Sequence, residues 1–168
     1  MSPPPGAGAA PSPEPGTAPA LAVRDLSHRF GRVTALDRVS FTVPRGAFTA
    51  LLGVNGAGKS TLFALITRLY TSTSGTIEVA GHDARRQPRA ALSRIGVVFQ
   101  SRALDLDLSL RQNLHYHAAL HGIARRAAEA RIAEVLALVD LADRPGVKAG
   151  ALSGGQQRRA EIARALIH

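Results

Sequence analysis

The sequence predicts an α/β fold, and three observations carry that prediction. A glycine-rich stretch at residues 53–61 lies between an apolar run at 47–52 and an apolar-periodic segment at 62–69, in the order strand, turn, helix. The run at 95–99 is apolar without alternation, as a buried parallel strand is. Beyond Gln100 the apolar residues recur at helical spacing.

Each element follows from local composition. Residues 1–20 are dominated by Pro, Ala and Gly and predict a disordered tail, because they bury too little apolar surface to offset the entropy of ordering. Short apolar or alternating runs predict strands at 21–27, 39–43, 47–52, 76–80 and 95–99, of which three are followed directly by Pro44, Gly53 or Gly81. Apolar residues three, four and seven positions apart predict helices at 62–69, 110–121, 128–139 and 154–168.

Composition excludes several function classes. The chain has no cysteine, so disulfides, thiolate catalysis and cysteine metal sites are excluded. No apolar run reaches the length of a membrane span. The net charge of +9 comes mostly from scattered arginines, and aromatic residues for base stacking are few. We therefore expect a generally basic surface and no nucleic-acid partner.

Three histidines, at positions 115, 117 and 121, lie on one predicted helix. His117 and His121 have the spacing of a zinc-binding pair, and a solvated helix face explains them as well. We prefer the solvated face, because the histidines of the sequence form no compact metal-ligand pattern.

The glycine-rich stretch reads GVNGAGKST at positions 53–61. Its glycines let successive N–H groups point at phosphate oxygens, and the helix that follows adds its positive N-terminal end. Lys59 is placed to reach the β- and γ-phosphates of a nucleotide, and the Ser60 hydroxyl to bind Mg²⁺. A chance glycine-rich turn would not explain Lys59 and Ser60 at these positions, so the stretch predicts nucleotide binding.

A second motif, LSGGQ at positions 152–156, opens the last predicted helix with small residues, and this also suits a phosphate group. The two motifs, with Gln100 between them, have the order and rough spacing of the ATP-binding cassette family. Residues 21–168 thus resemble part of a nucleotide-binding domain of that family. The resemblance implies a P-loop NTPase (RecA-like) core with a small antiparallel β subdomain and a helical subdomain at about 101–153.

The resemblance also implies roles for single residues. Phe30 would stack on adenine, where members usually have Tyr, and a plain core aromatic is the alternative. Gln100 would touch Mg²⁺ and the attacking water, and a strand-capping amide is the alternative. The expected catalytic residues are Lys59 and Gln100, and the expected ligands of Mg²⁺ are Ser60 and Gln100. The expected ATP-binding residues are Phe30, Gly53, Asn55, Gly56, Gly58, Lys59, Ser60 and Thr61, with Ser153, Gly154, Gly155 and Gln156 acting on ATP held by a second copy.

The sequence departs from the family at its end. Members follow the last helix with an apolar strand ending in Asp-Glu, and a switch histidine comes later, whereas this sequence stops at His168. The run at 135–140 ends in Asp140 but has helical periodicity and precedes Ser153, so it is not assigned as that strand, nor His168 as the switch. We expect a cassette with its C-terminal part missing, inactive in hydrolysis and not stably folded alone.

The resemblance favours one function over two others. It implies an ATP-binding subunit that couples ATP binding and hydrolysis to movement of a substrate by separate transmembrane permease subunits. Such a subunit works as a dimer, most simply a homodimer, and is cytoplasmic on the inner face of the cell membrane. Residues 101–123 resemble stand-alone exporter cassettes, so export is favoured over import. The alternatives are an inactive fragment that only binds nucleotide, and a soluble ATPase that acts on nucleic acid or ribosomes.

Overall fold

The computed structural model describes residues 18–101 and 103–168. The chain divides into two compact units, Met1–Ala91 and Leu92–His168. Among the described residues, no helix combines the length and the apolar character needed to cross a membrane.

The described part of the first unit contains a four-stranded antiparallel sheet of β1 (Leu21–Phe30), β2 (Val33–Val43), β3 (Ser74–Val79) and β4 (His82–Asp83), in the order β2-β1-β3-β4. The strands predicted at 21–27, 39–43 and 76–80 are therefore confirmed. β2 begins earlier than predicted, because the turn at residues 31–32 brings Val33 directly opposite Phe30. β1 buries the consecutive residues Ala22 and Val23 at 0% and 1% exposure, one on each face of the strand, which anchors the sheet.

The first helix of this unit, α1 (Lys59–Ile66), follows the glycine-rich loop. It buries Leu62 and Leu65, one helical turn apart, and each buried leucine contributes about 1.5–3 kcal/mol. The helix ends before the predicted residue 69. The Thr67 hydroxyl donates to the Phe63 carbonyl at 2.8 Å, and Arg68 adopts a left-handed conformation with φ 62°.

Two predicted strands, 47–52 and 95–99, are absent from the described structure, and those predictions are wrong. A strand exists only where a neighbour accepts and donates its backbone hydrogen bonds, and no described strand pairs with either segment. Residues 47–52 are exposed instead, with Phe48 at 96% and Leu52 at 88%. Residues 95–99 belong to the second unit, where Gly96 lies against the backbone of Ala165.

A short helix that the sequence pattern did not predict, α2 (Pro88–Leu92), ends at the boundary of the two units. Beyond it the second unit contains α3 (Leu110–Leu120), α4 (Arg125–Leu138), a 3₁₀ turn (Ala149–Ala151) and α5 (Gly154–Ala165). The three predicted helices of this region are confirmed, and α4 shows that residues 135–138 are helical rather than a strand. The buried core of the unit includes Leu110, Leu114, Ala118, Ala128, Ile132, Val135, Leu136, Leu141, Leu152, Ala160, Ala163 and Ile167.

Most of the tail predicted at 1–20 lies outside the described residues. Two of its last three residues make hydrogen bonds within the first unit: the Ala18 carbonyl accepts from Arg45 Nε at 3.0 Å, and the Ala20 carbonyl accepts from the Ala80 amide at 2.9 Å. Ordered structure thus includes residues 18–20.

Candidate functional site

The glycine-rich loop enters α1 through Gly58, a position at which any side chain would be strained. Gly58 is the N-cap, with φ 83°, and no side chain caps the first turn. A Cβ at this position would collide with the backbone oxygen of Ala35 and lie 2.8 Å from the Leu36 side chain. The uncapped amides and the positive end of the helix dipole together form an arrangement that attracts an anion.

Lys59 is folded over this loop. Its Nζ donates to the Gly53 carbonyl at 2.6 Å and to the Val54 carbonyl at 2.7 Å. The ammonium is thereby held beside the loop amides, where a phosphate oxygen would give it a stronger, charge-assisted partner. Ser60, in the same turn, is exposed.

The rest of the loop is open to solvent. Gly53, Asn55 and Gly56 are exposed, and Thr61 is half-buried in the first turn of α1. The fit to a nucleotide therefore rests on the chemistry of the donors: backbone amides, one ammonium and one hydroxyl, which suit phosphate oxygens and the Mg²⁺ that accompanies them.

Phe30 ends β1 and belongs to an aromatic cluster in the first unit. Its ring lies edge-on to His28, with centroids 4.7 Å apart, and edge-on to Tyr70 at 5.6 Å. Phe30 is 46% exposed, so part of its ring remains accessible to a planar ligand. Since His28 pairs with Leu36 across the strands, and Leu36 contacts Gly58, this end of the hairpin also supports the phosphate loop.

The second motif forms the N-terminus of α5 in the second unit. Ser153 is the N-cap: its Oγ accepts from the Gln156 amide at 3.3 Å, and the Gln156 Oε1 accepts from the Ser153 amide at 2.9 Å. Both side chains predicted to meet ATP therefore already stabilise the helix end as a capping box. The Ser153 hydroxyl hydrogen remains available for a further acceptor.

The two glycines that follow are open. A Cβ built on Gly154 or on Gly155 would meet nothing within 4 Å. Neither residue is needed for a left-handed backbone or for packing inside the described chain, and glycine costs a helix about 1 kcal/mol relative to Ala. Bare backbone at this helix end therefore suits something that approaches closely from outside.

The backbone on either side of Gln100 is joined to α5 by two charged residues that the sequence motifs do not include. Glu161, 4% exposed, accepts from the Ala103 amide at 3.1 Å through Oε1 and from Arg158 Nη1 at 2.9 Å through Oε2. Arg158 Nη1 also donates to the Phe99 carbonyl at 2.6 Å. Gln100 itself is exposed and lines a cavity of about 210 Å³ with Gly154, Gln157, Arg158 and Glu161.

One signal in the sequence could have found this link. Glu161 lies one turn after Gln157 on the buried face of α5, where a charge is expected only if it is paired, and Arg158 is three residues before it.

The predicted site residues are divided between the two units. The structure places Phe30 and residues 53–61 in the first unit. It places Gln100 and residues 153–156 in the second, where Gln100 and Gly154 line the same cavity.

A family model described as ABC transporter matches residues 36–168. Among curated proteins, the chain is 41% identical over 148 residues to the daunorubicin resistance ATP-binding protein DrrA3 of Streptomyces coeruleorubidus, covering 88% of this chain and 47% of that protein. It is 39% identical over 153 residues to the spermidine/putrescine import ATP-binding protein PotA of Pseudomonas aeruginosa, covering 90% and 42%. The chain thus spans about half the length of the curated relatives it matches.

A solved structure agrees with these matches. CbiO1 of Clostridium perfringens, described as part of the ABC transporter complex CbiONQ, has a TM-score of 0.78 and 26% sequence identity. The match covers 89% of this chain and 61% of that one. The P-loop α/β fold class predicted from the sequence is therefore confirmed.

Proposed function

This chain belongs to the ABC transporter family, and from that premise we propose that it carries the ATP-binding part of a transporter's energy-coupling subunit. The observation that carries the proposal is the loop at 53–61. It combines an uncapped helix start at Gly58 with the Lys59 ammonium held against the loop carbonyls. This donor set recognises the phosphates of a nucleotide.

The remaining residues of the first unit complete the proposed nucleotide site. Ser60 would hold Mg²⁺, which neutralises phosphate charge when bound, and Phe30 would offer its exposed face to the adenine. For Gln100, which lies in the second unit, only the family resemblance supports a role toward the metal and the attacking water. Its position depends on the Arg158 and Glu161 contacts to the neighbouring backbone.

Lys59→Ala tests the nucleotide site. Loss of the charge-assisted contacts, each worth roughly 1.5–3 kcal/mol, should weaken ATP binding about tenfold or more in calorimetry. Lys148→Ala is the matched control, because Lys148 is the other lysine of the sequence and is exposed in the second unit. Equal affinity in Lys59→Ala and Lys148→Ala would contradict the assignment.

We propose a second copy of the chain as the partner at the LSGGQ motif. The open glycines and the spare Ser153 hydrogen bond support a γ-phosphate docking there from the other copy's nucleotide. Residues 53–61 of each copy would then face residues 153–156 of the other, and two nucleotides would lie between two chains.

Ser153→Arg tests this arrangement, and Ser109→Arg controls for the lost cap. Ser109 is the N-cap of α3, with the same capping box to Gln112, so both changes should cost about 1 kcal/mol of stability. Only Ser153→Arg adds bulk and charge at the docking surface. In the complete subunit it should abolish ATP hydrolysis and leave nucleotide binding intact. Retained turnover in Ser153→Arg would refute the second-copy role.

The chain on its own is proposed to bind ATP and to release phosphate slowly. In the described part of the first unit, the Asp83 Oδ1 accepts from the Arg85 and Arg86 amides at 2.7 and 2.9 Å, and Glu78 pairs with Arg24 at 2.8 Å. No acidic residue occurs within 53–61. We propose that none of the described carboxylates serves as general base, and lack of a general base costs about 10²- to 10⁴-fold in rate. Phosphate release at the rate of a complete subunit would contradict this proposal.

Export driven through separate permease subunits is the proposed direction of transport, with the chain on the cytoplasmic face of the membrane. The resemblance of residues 101–123 to exporter cassettes supports it, while the name of the polyamine relative states import. Inside-out vesicles containing the subunit and its permease should accumulate substrate when ATP is added outside. Accumulation only in right-side-out vesicles supplied with internal ATP would reverse the direction.

A further inference from the structure

Three histidines meet in the second unit, away from the residues assigned to nucleotide. His117 and His121 come from α3 and its C-cap, and His168 follows α5. The ring centroids of His121 and His168 are 3.8 Å apart and the rings are nearly parallel, while His117 lies 4.7 Å from His121 and 5.9 Å from His168. One ligand nitrogen from each residue lies within 4.8 Å of the other two.

His168 has one ring nitrogen prepared for a ligand. Its Nε2 lies 3.1 Å from the Ile95 carbonyl, which can only accept, so Nε2 carries the hydrogen. Nδ1 then presents a lone pair, and this atom is buried with no hydrogen-bond partner. In metal sites a ligating imidazole usually donates its other ring N–H to a backbone carbonyl or a carboxylate, and this hydrogen bond fixes the tautomer.

The two α3 histidines add a chelating pair. Positions 117 and 121 are separated by one helical turn, so their side chains project from the same face. His117 is half-buried and His121 is exposed. An entry path from solvent therefore exists on the His121 side, and an exposed ring can reorient at low cost.

We propose that His117, His121 and His168 bind one divalent transition-metal ion, with Zn²⁺ as the best-fitting ion and water at the open fourth position. Zn–N bonds of about 2.0–2.1 Å in a tetrahedron place the nitrogens ~3.3 Å apart. The nitrogens must therefore approach by no more than about 1.5 Å from the 4.8 Å limit, with the stacked rings of His121 and His168 tilting apart.

The charged groups around the cluster have opposite effects on the binding of a cation. Burial, together with the neighbouring Arg164, His121 and His168, lowers the pKa of His117 to about 4, so its imidazole is neutral near neutral pH, the form that ligates. Arg164 also repels a cation, and Asp105 lines the same cavity of about 420 Å³ beside His117 and Arg164. Because the donors include no thiolate and one ligand is exposed, we expect the metal ion to bind reversibly.

The test is calorimetric titration of ZnCl₂ into the full chain carrying no histidine tag, in buffer without nucleotide or Mg²⁺. We expect one Zn²⁺ per chain. His168→Gln and His121→Gln should each weaken Zn²⁺ binding at least ~10-fold. Even loss of a residue that only hydrogen-bonds to a metal ligand lowers metal affinity by about that factor. His115→Gln is the matched control, because His115 lies on the same helix and contacts Glu129 through Nε2 at 2.7 Å.

Two further readouts keep the result interpretable if one variant folds poorly. Bound Co²⁺ should give the visible absorption of a tetrahedral nitrogen site in the wild type and lose it in both cluster variants. Zn²⁺ should raise the melting temperature of the wild type and not that of His121→Gln, a substitution at an exposed side chain. No saturable Zn²⁺ binding, or affinity unchanged in His168→Gln, would overturn the three-ligand site. Equal loss in His115→Gln would do the same.

Discussion

At the residue scale, Gly58 shows how one backbone position controls the phosphate loop. Gly58→Ala should unfold at lower temperature than Gly56→Ala, although both residues have φ values near 84°, at 83° and 85°. The left-handed strain of about 1–2 kcal/mol is common to both. Only Gly58→Ala adds a collision with the Ala35 oxygen, and overpacking costs a further ~1–3 kcal/mol.

Thermal denaturation without nucleotide measures this difference, since stability then reports on the fold rather than on phosphate contacts. Gly56 is the control because a Cβ there meets nothing within 4 Å. Equal destabilisation of the two variants would show that the close approach of Ala35 does not constrain the loop.

At the scale of elements, a buried acid ties the segment around Gln100 to α5. Glu161→Gln should destabilise the protein by about 1.5–3 kcal/mol, because the hydrogen bonds to Glu161 involve a charge and the side chain is 5% exposed. Glu134→Gln is the control. It breaks an Arg–Glu pair of the same spacing, Arg131–Glu134 at 2.7 Å, in which the Glu is 59% exposed.

Urea unfolding gives the two free energies, and hydrogen exchange at the Ala103 amide reports the local loosening. If Glu161 contributed no more than an exposed ion pair does, Glu161→Gln and Glu134→Gln would be equally stable. Exchange at Ala103 would also be unchanged.

A second link between elements, Glu129 on α4, predicts a pH dependence. Hydrogen bonds from Arg111 and then from His115 on α3 lower the pKa of Glu129 below its ordinary value of 4.5. The stabilisation is fully present above pH 4.5 and is lost as the pH falls through the lowered folded-state pKa. The melting temperature of Glu129→Gln should therefore fall below that of the wild type near neutrality, and the two should converge in acid. A difference that persists in strong acid would contradict an ionic origin.

At the scale of the whole molecule, a substitution at the open N-terminus of α5 distinguishes an effect on folding from an effect on assembly. Gly155→Leu should leave the monomer as stable or up to ~1 kcal/mol more stable, because the side chain enters empty space and leucine favours helix. If a second copy docks at this surface, the same change should block ATP-dependent dimerisation. Light scattering with and without ATP measures the dimer.

Gly146→Leu is the control for this experiment. A Cβ at Gly146 also meets nothing within 4 Å, and Gly146 lies in the turn before the 3₁₀ segment rather than at the helix end. Dimerisation should survive in Gly146→Leu. Dimerisation that survives in Gly155→Leu as well would exclude residue 155 from the contact.

The sequence by itself determined the features that depend on neighbours within a few residues. The loop at 53–61, the helix start at Ser153 and the apolar stripes of α3 and α4 were all recognisable, because turns, caps and helical faces involve residues close in the chain. The family resemblance followed from the same local motifs, and the match over residues 36–168 confirms it.

Only the tertiary structure decided the features that join distant residues. Residues 47–52 and 95–99 have the composition of strands, but a strand also needs a partner, which local composition cannot supply. The contacts of Glu161 with Ala103 and of His168 with Ile95 span 58 and 73 positions. The histidine pair of α3 became a three-residue cluster for the same reason, since the third ring arrives from the far end of another helix. Long-range contacts of this kind are fixed by packing of whole elements, and no short window of sequence contains both partners.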